Sequence, residues 1–116
     1  MGDISKHFNR SEFACKDNCG FDTVDVELIT VLEDLREHFD SPVRVNSGSR
    51  CKKHNDSIKG AKKSQHLVCR AADVTVDKIS PIVVWEYLNF KYMGYYGVGR
   101  YQSFTHIDTR NNSARW

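Results

Sequence analysis

Residues 71–76 read AADVTV, and residues 104–109 read FTHIDT. In both, polar and apolar side chains alternate with the two-residue period of a strand whose faces meet different surroundings. Val74 and Val76 point one way, while Ala71, Asp73 and Thr75 point the other. In the second stretch Ile107 opposes His106, Asp108 and, just beyond, Arg110. Each strand offers an aliphatic face to a core and presents a carboxylate or an imidazole on the other face. The pair predicts a small sheet with one apolar side for helices to cover.

Working outward, VDVELITVLEDLREHF (24–39) places Val24, Leu28, Val31, Leu32, Leu35 and Phe39 at helical spacing, with Asp22 or Thr23 as cap. Asp40-Ser41-Pro42 ends that helix, and VRVN (43–46) reads as a strand closed by Ser47-Gly48. A short helix over 51–59 and a polar loop over 60–69 precede the strand at 71–76. Ser80-Pro81 opens a second helix over about 80–92. Gly94, Gly97 and Gly99 then predict a glycine-rich turn through GYYGVGRY (94–101). The first 20 residues show little periodicity. This order predicts an α+β domain with a small, mostly antiparallel sheet and flanking helices.

The length of 116 residues fits one domain, 1–116, that buries roughly two thirds of its unfolded surface. Hydrophobic residues at 40%, charged residues at 28% and a mean hydropathy of −0.56 argue against a membrane protein and against disorder. No apolar run approaches the ~20 residues of a membrane helix. The opening MGDISKHFNRSEF is too polar for a secretory signal, so synthesis in the cytoplasm is expected.

Charge is unevenly spread. Residues 1–40 hold ten acids and four bases, whereas residues 41–70 hold eight bases and one acid. Arg50, Lys52, Lys53, Lys59, Lys62, Lys63 and Arg70 make the middle cationic. Such a stretch either attracts anions or is a solvated loop. No recognition helix or aromatic-basic platform accompanies it, which disfavours a nucleic-acid partner. Cys15 and Cys19 are spaced C-x3-C, and Cys51 and Cys69 stand alone, which is not the spacing of a zinc ribbon. Reduced structural thiols are expected. Trp85 and Phe104 read as packing. Tyr95, Tyr96 and Tyr101 fit either packing or the rim of a groove.

His66 ends the polar triplet Ser64-Gln65-His66, seven residues before Asp73. Two imidazoles and one carboxylate, here His66, Asp73 and His106, are a donor set that holds zinc and leaves a fourth position for water. Water bound there becomes acidic enough to supply hydroxide near neutral pH. Asp108 can accept the other imidazole N–H, of His106 or of His66. Spacing alone equally allows ordinary solvated or hydrogen-bonded side chains at a sheet edge.

SQHLVCRAAD (64–73) resembles the S-x-H-x-x-G-x-A-x-D signature of the zinc D-alanyl-D-alanine peptidases, matching at Ser64, His66, Ala71 and Asp73. GVGRYQSFTHID (97–108) resembles the family's second block, whose histidine is the third zinc ligand. VNSGSR (45–50) resembles the S-G-x-R segment whose arginine faces the substrate, and CKKHN (51–55) follows as it does in the family. The blocks run in order from about Ser47 to Asp108. The likeness is to small single-domain members found in phage and prophage genomes.

The resemblance implies a Hedgehog/DD-peptidase-like fold and a zinc ion held by His66, Asp73 and His106. It implies that Arg50 meets a substrate carboxylate, carbonyl or oxyanion, and that Ser64 donates a hydrogen bond to the substrate. It also implies peptidoglycan stem peptides as substrate, cut by a monomer with no nucleic-acid partner and no membrane insertion. The enzyme would reach the bacterial cell wall by phage-type release or delivery. Two departures stand out. Many members carry an acid three residues before the last histidine as general base, and here that residue is Ser103, which takes no proton near neutral pH. Asp108 or His54 would have to substitute; otherwise the chain is an inactive zinc-containing wall-binding module of the same fold. Cys69 replaces a glycine suited to a positive-φ turn, and stands either as a packed thiol or as an additional ligand.

Overall fold

The computed structural model describes residues 2–15, 24–48, 55, 58, 66 and 70–116. The first helix, α1, spans Val26–Phe39. Asp25 caps it: its backbone is extended, and its carboxylate accepts from the amide of Leu28 at 3.3 Å. The helix therefore starts two residues later than its periodicity suggests, because the aspartate next to the apolar run satisfies an amide that would otherwise lack a partner. The expected caps Asp22 and Thr23 lie outside the described residues. At the other end Asp40 turns left-handed, with φ 47, and Pro42 follows.

Among the described residues five strands form one sheet: β1 (Val43–Ser47), β2 (Ala71–Val76), β3 (Gly97–Arg100), β4 (Thr105–Asp108) and β5 (Ala114–Arg115). Their order is β1-β2-β4-β3-β5, and every pairing is antiparallel except that of β3 with β5. A later helix, α2 (Pro81–Lys91), joins β2 to β3, and β4 inserts between them as in a split β-α-β unit. The domain is α+β as expected, with a mixed sheet.

The predicted glycine-rich turn is shorter than expected. The chain turns at 92–96, with Gly94 at φ 85 and Tyr96 at φ 65, and Gly97 and Gly99 lie inside β3. The two-residue β5 has no counterpart in the sequence pattern. Of the helix expected at 51–59, Asn55 is helical and buried; of the loop at 60–69, His66 is described and buried. The other residues of both stretches lie outside the described set.

One face of the sheet builds the core. Ala72, Val74, Val76, Val98 and Ile107 meet Leu28, Leu32 and Leu35 of α1 and Val84 and Leu88 of α2. Burying each leucine contributes about 1.5–3 kcal/mol. Phe8 and Phe13 join this core from the N-terminal segment, where Asn9 and Glu12 cap a short 3-10 helix, Arg10–Phe13, reciprocally.

Two acids on α1 tie other elements to it. Asp34 accepts from the hydroxyls of Tyr87 (2.8 Å) and Tyr92 (3.2 Å). Glu33 takes the Ser5 hydroxyl at 2.5 Å, the His7 amide at 2.7 Å and His7 Nδ1 at 2.5 Å. Burial opposes the charge on Glu33, but the hydrogen bonds from Ser5 and His7 outweigh it and hold its pKa below the usual glutamate value. A lowered folded-state pKa gives stability that is present above the unfolded pKa of ~4.3 and is lost as pH falls through the folded value. Glu33→Gln is therefore expected to cost about 1–2 kcal/mol at neutral pH. That deficit should close on acidification below the folded pKa, as read by urea unfolding of both proteins across the range. A deficit independent of pH would refute the electrostatic account.

Candidate metal centre

The sheet face opposite the core carries the polar groups, and its register sets them in a row. Ser47 of β1 pairs with Asp73 of β2, Asp73 with His106 of β4, and His106 with Gly99 of β3. Directly paired residues project to the same side, so the Asp73 carboxylate and the His106 ring stand side by side. Their contact is 2.9 Å between His106 Nδ1 and Asp73 Oδ1. His66 enters from outside the sheet, with Nε2 3.4 Å from Asp73 Oδ2. One ligand atom from each of the three lies within 4.8 Å of the others, and all three residues are buried.

The remaining ring nitrogens are occupied. His66 Nδ1 lies 2.6 Å from the carbonyl of Gly48, which can only accept, so Nδ1 carries a proton and Nε2 faces the cluster. His106 Nε2 lies 2.7 Å from Asp108 Oδ2 and donates to it for the same reason. Each imidazole is thus oriented by one nitrogen and offers the other to the cluster, the arrangement that fixes metal-bound histidines. The donor set fits a zinc ion by ligand type and burial.

Electrostatics point the same way. Burial disfavours the Asp73 carboxylate, but hydrogen bonds from His106 and His66 more than compensate and hold its pKa well below the usual range. Burial alone would lower the His106 pKa; the bonds to Asp108 and Asp73 raise it instead. With a carboxylate at each nitrogen, the charged form of His106 is favoured. A dication held by the three donors would take the place of a proton on Nδ1.

Asp108 is fully buried and belongs to the next row along the same face, where Ala71, Asp108 and Gly97 align. Arg110 grips it with two bonds of 2.7 Å, Nε to Oδ1 and a terminal nitrogen to Oδ2. Burial works against this charge, and the bonds from His106 and Arg110 hold the Asp108 pKa well below normal. A Cβ on Gly97 would stand 2.5 Å from Asp108 Oδ2 and 2.6 Å from Arg110 Nε. Glycine at 97 makes room for this ion pair. Arg110 also borders a cleft of about 490 Å³ shared with Arg70, Asn111, Asn112, Ser113 and Ala114.

The structure brings His66, Asp73 and His106 together and puts Asp108 behind His106. Asp108 meets His106 and not His66, of the two partners expected for it. Arg50, Ser64, His54 and Cys69 lie outside the described residues. Ser103 is exposed in the β3–β4 loop. The Gly48 carbonyl and the clamp from Arg110 carried no sequence signal of their own, since a backbone oxygen leaves none and an arginine two residues beyond Asp108 reads as surface charge.

Two histidines and an aspartate, buried together with one nitrogen of each ring anchored, form a possible metal site of the kind that metal-dependent hydrolases use. The family model described as Peptidase M15 matches residues 6–108, and the chain belongs to that family of zinc peptidases. No curated protein matches the chain.

These contacts have measurable consequences. At zinc about 100-fold above its Kd the wild type should gain about 2.7 kcal/mol of stability. His66→Ala and His106→Ala should gain none. Asp108→Asn should still bind, about 10- to 100-fold more weakly. Thermal unfolding with and without zinc checks all three, and an undiminished zinc effect in both histidine variants would remove the ligand assignment.

Proposed function

We propose that the protein is a zinc-dependent peptidoglycan peptidase on a Hedgehog/DD-peptidase-like fold. It hydrolyses an amide bond of D-amino-acid-containing stem peptides as a carboxypeptidase or an endopeptidase. The observation that carries this reading is the buried His66–Asp73–His106 set, lying within the stretch that matches the Peptidase M15 family.

When bound, zinc supplies Lewis acidity toward the scissile carbonyl and lowers the pKa of a water molecule. The chain's own groups do the rest. Gly48 and Asp108 hold the two imidazoles in one tautomer each, so the donors need no rearrangement. Arg50 binds the carbonyl or carboxylate oxygen of the stem peptide and stabilises charge as it develops there, and Ser64 donates to the same substrate. The cleft beside Arg70 and Arg110 favours anionic stem peptides. Asp108 supports His106 and is not the base, because both its oxygens are taken and its pKa is lowered. Among the described residues no helix is long and apolar enough to cross a membrane. A phage lysis or virion-associated role is the context in which such a domain meets the wall.

Ser103 favours a second reading, a zinc-holding wall-binding module without turnover, because the residue in the family's base position cannot accept a proton near neutral pH. Mass spectrometry of muropeptides after incubation with the zinc-loaded protein separates the two. Products absent from a His106→Ala control are expected, and their masses identify the bond. Arg50→Ala should keep its zinc and lose about 100- to 1,000-fold in rate. No products from several wall types, with zinc bound, would overturn the peptidase in favour of the module.

A further inference from the structure

The row that carries the metal donors does not end at Gly99. β5 runs parallel to β3, with Gly97 opposite Ala114 and Val98 opposite Arg115. The pairing continues one residue further. The amide of Trp116 donates to Val98 O at 3.2 Å, and the amide of Arg100 donates to Trp116 O at 2.7 Å. Trp116 therefore stands across from Gly99, on the same face as Asp73 and His106. A Cβ on Gly99 would come within 2.5 Å of the indole at Cε2 and Nε1, so the missing side chain is the seat of the ring. The indole folds back over that seat to reach His106, with ring centroids 5.1 Å apart and planes tilted by 43°.

Two further contacts fix the indole. Its Nε1 donates to the hydroxyl of Tyr101 at 2.8 Å, and the Arg110 guanidinium lies 5.1 Å from the ring. Arg110 is the residue that grips Asp108, and Asp108 is the residue that orients His106. One indole thus braces the imidazole directly and braces the ion pair behind it.

We propose that Trp116 is a positioning residue of the metal centre: packed on Gly99, it holds His106 and the Arg110–Asp108 pair in the orientation that presents Nδ1 to the cluster. The proposal rests on the metal reading of His66, Asp73 and His106. Without the indole, the space over Gly99 admits water, Arg110 loses the aromatic face beneath it, and the imidazole gains freedom to rotate. An aromatic ring of similar breadth should serve in its place, whereas an aliphatic side chain should not.

The test uses cobalt(II) alone as the probe, because its visible d–d absorption reports ligand geometry without turnover. Wild-type protein should bind cobalt with the bands of a four-coordinate site. Trp116→Leu should bind about 10- to 100-fold more weakly with altered bands, the loss seen when a ligand's supporting partner is removed. Trp116→Phe should recover most of both the affinity and the spectrum, and circular dichroism establishes that both variants are folded. A Leu variant with wild-type affinity and bands would overturn the role of Trp116 while leaving the metal site intact, and so would a Phe variant no better than Leu. A wild type that binds no cobalt would overturn the metal reading and this proposal together. If Trp116→Leu does not fold, quenching of the Trp116 emission by cobalt in a Trp85→Phe background decides: quenching is expected, and its absence in protein that has bound cobalt would overturn the contact.

Discussion

The site depends on one imidazole being held between two buried carboxylates. His106 touches Asp73 through Nδ1 and Asp108 through Nε2, and burial makes each of those charges costly unless it is matched. With His106 in its favoured charged form the charges balance: Asp73 and Asp108 are negative, Arg110 and His106 positive. A dication held by His66, Asp73 and His106 in place of the Nδ1 proton would leave the same groups with one excess positive charge, which would supply Lewis acidity. The polar cluster is therefore charge-matched without the ion and would be net positive with it. Removing any one charge breaks both properties, which explains why Arg110, remote from the donors, is engaged by two bonds instead of being left to solvent.

The sheet accommodates this cluster by withholding side chains. β3 has glycine at 97 and 99, and only there, on the face that looks toward the site. Each glycine in a strand costs roughly 0.5–1 kcal/mol relative to alanine. What is gained is space: the Asp108–Arg110 pair occupies one gap and the Trp116 indole the other. On the opposite face of the same strand Val98 is fully buried in the core against Ile107, so the strand loses nothing of its packing there. The strand is asymmetric by design of its alternation, apolar inward and empty outward.

That asymmetry also explains what the sequence showed and what it concealed. AADVTV and FTHIDT were legible because alternation survives in them, and the bounds of β2 follow directly. The α1 face was legible from Leu28, Val31, Leu32 and Leu35, all buried as their spacing requires. GVGR was not, because glycine signals a turn far more often than a strand that must admit a neighbour's side chain, and that distinction is a property of β4 and β5, not of β3. β5 is two residues long, below the length at which any period exists, and its one strand neighbour is β3. The nearness of His66, Asp73 and His106 was legible as a pattern matched to a family, while their supports were not. The Gly48 carbonyl is invisible to residue type, and the indole of Trp116 is tied to His106 only through the register of three strands.

The described part of the site is built to hold and not to move protons. Its carboxylates are Asp73, shared by two imidazoles, and Asp108, clamped by Arg110 and His106; the pKa of each is driven low. A carboxylate so stabilised in its charged form is a poor proton acceptor, because basicity falls with pKa. Ser103 adds none. On the proposed reading, the group that takes the proton would come from the stretch between β1 and β2, where Arg50, His54 and Ser64 lie in sequence. The labour divides along the chain: the sheet fixes the ligands and their charge, and the connection between β1 and β2, which also delivers His66, carries the side chains proposed to meet the substrate. A chain that kept the sheet but lost those side chains would still bind zinc, so metal content alone cannot distinguish an active member of this fold from a binding module, whereas bond cleavage can.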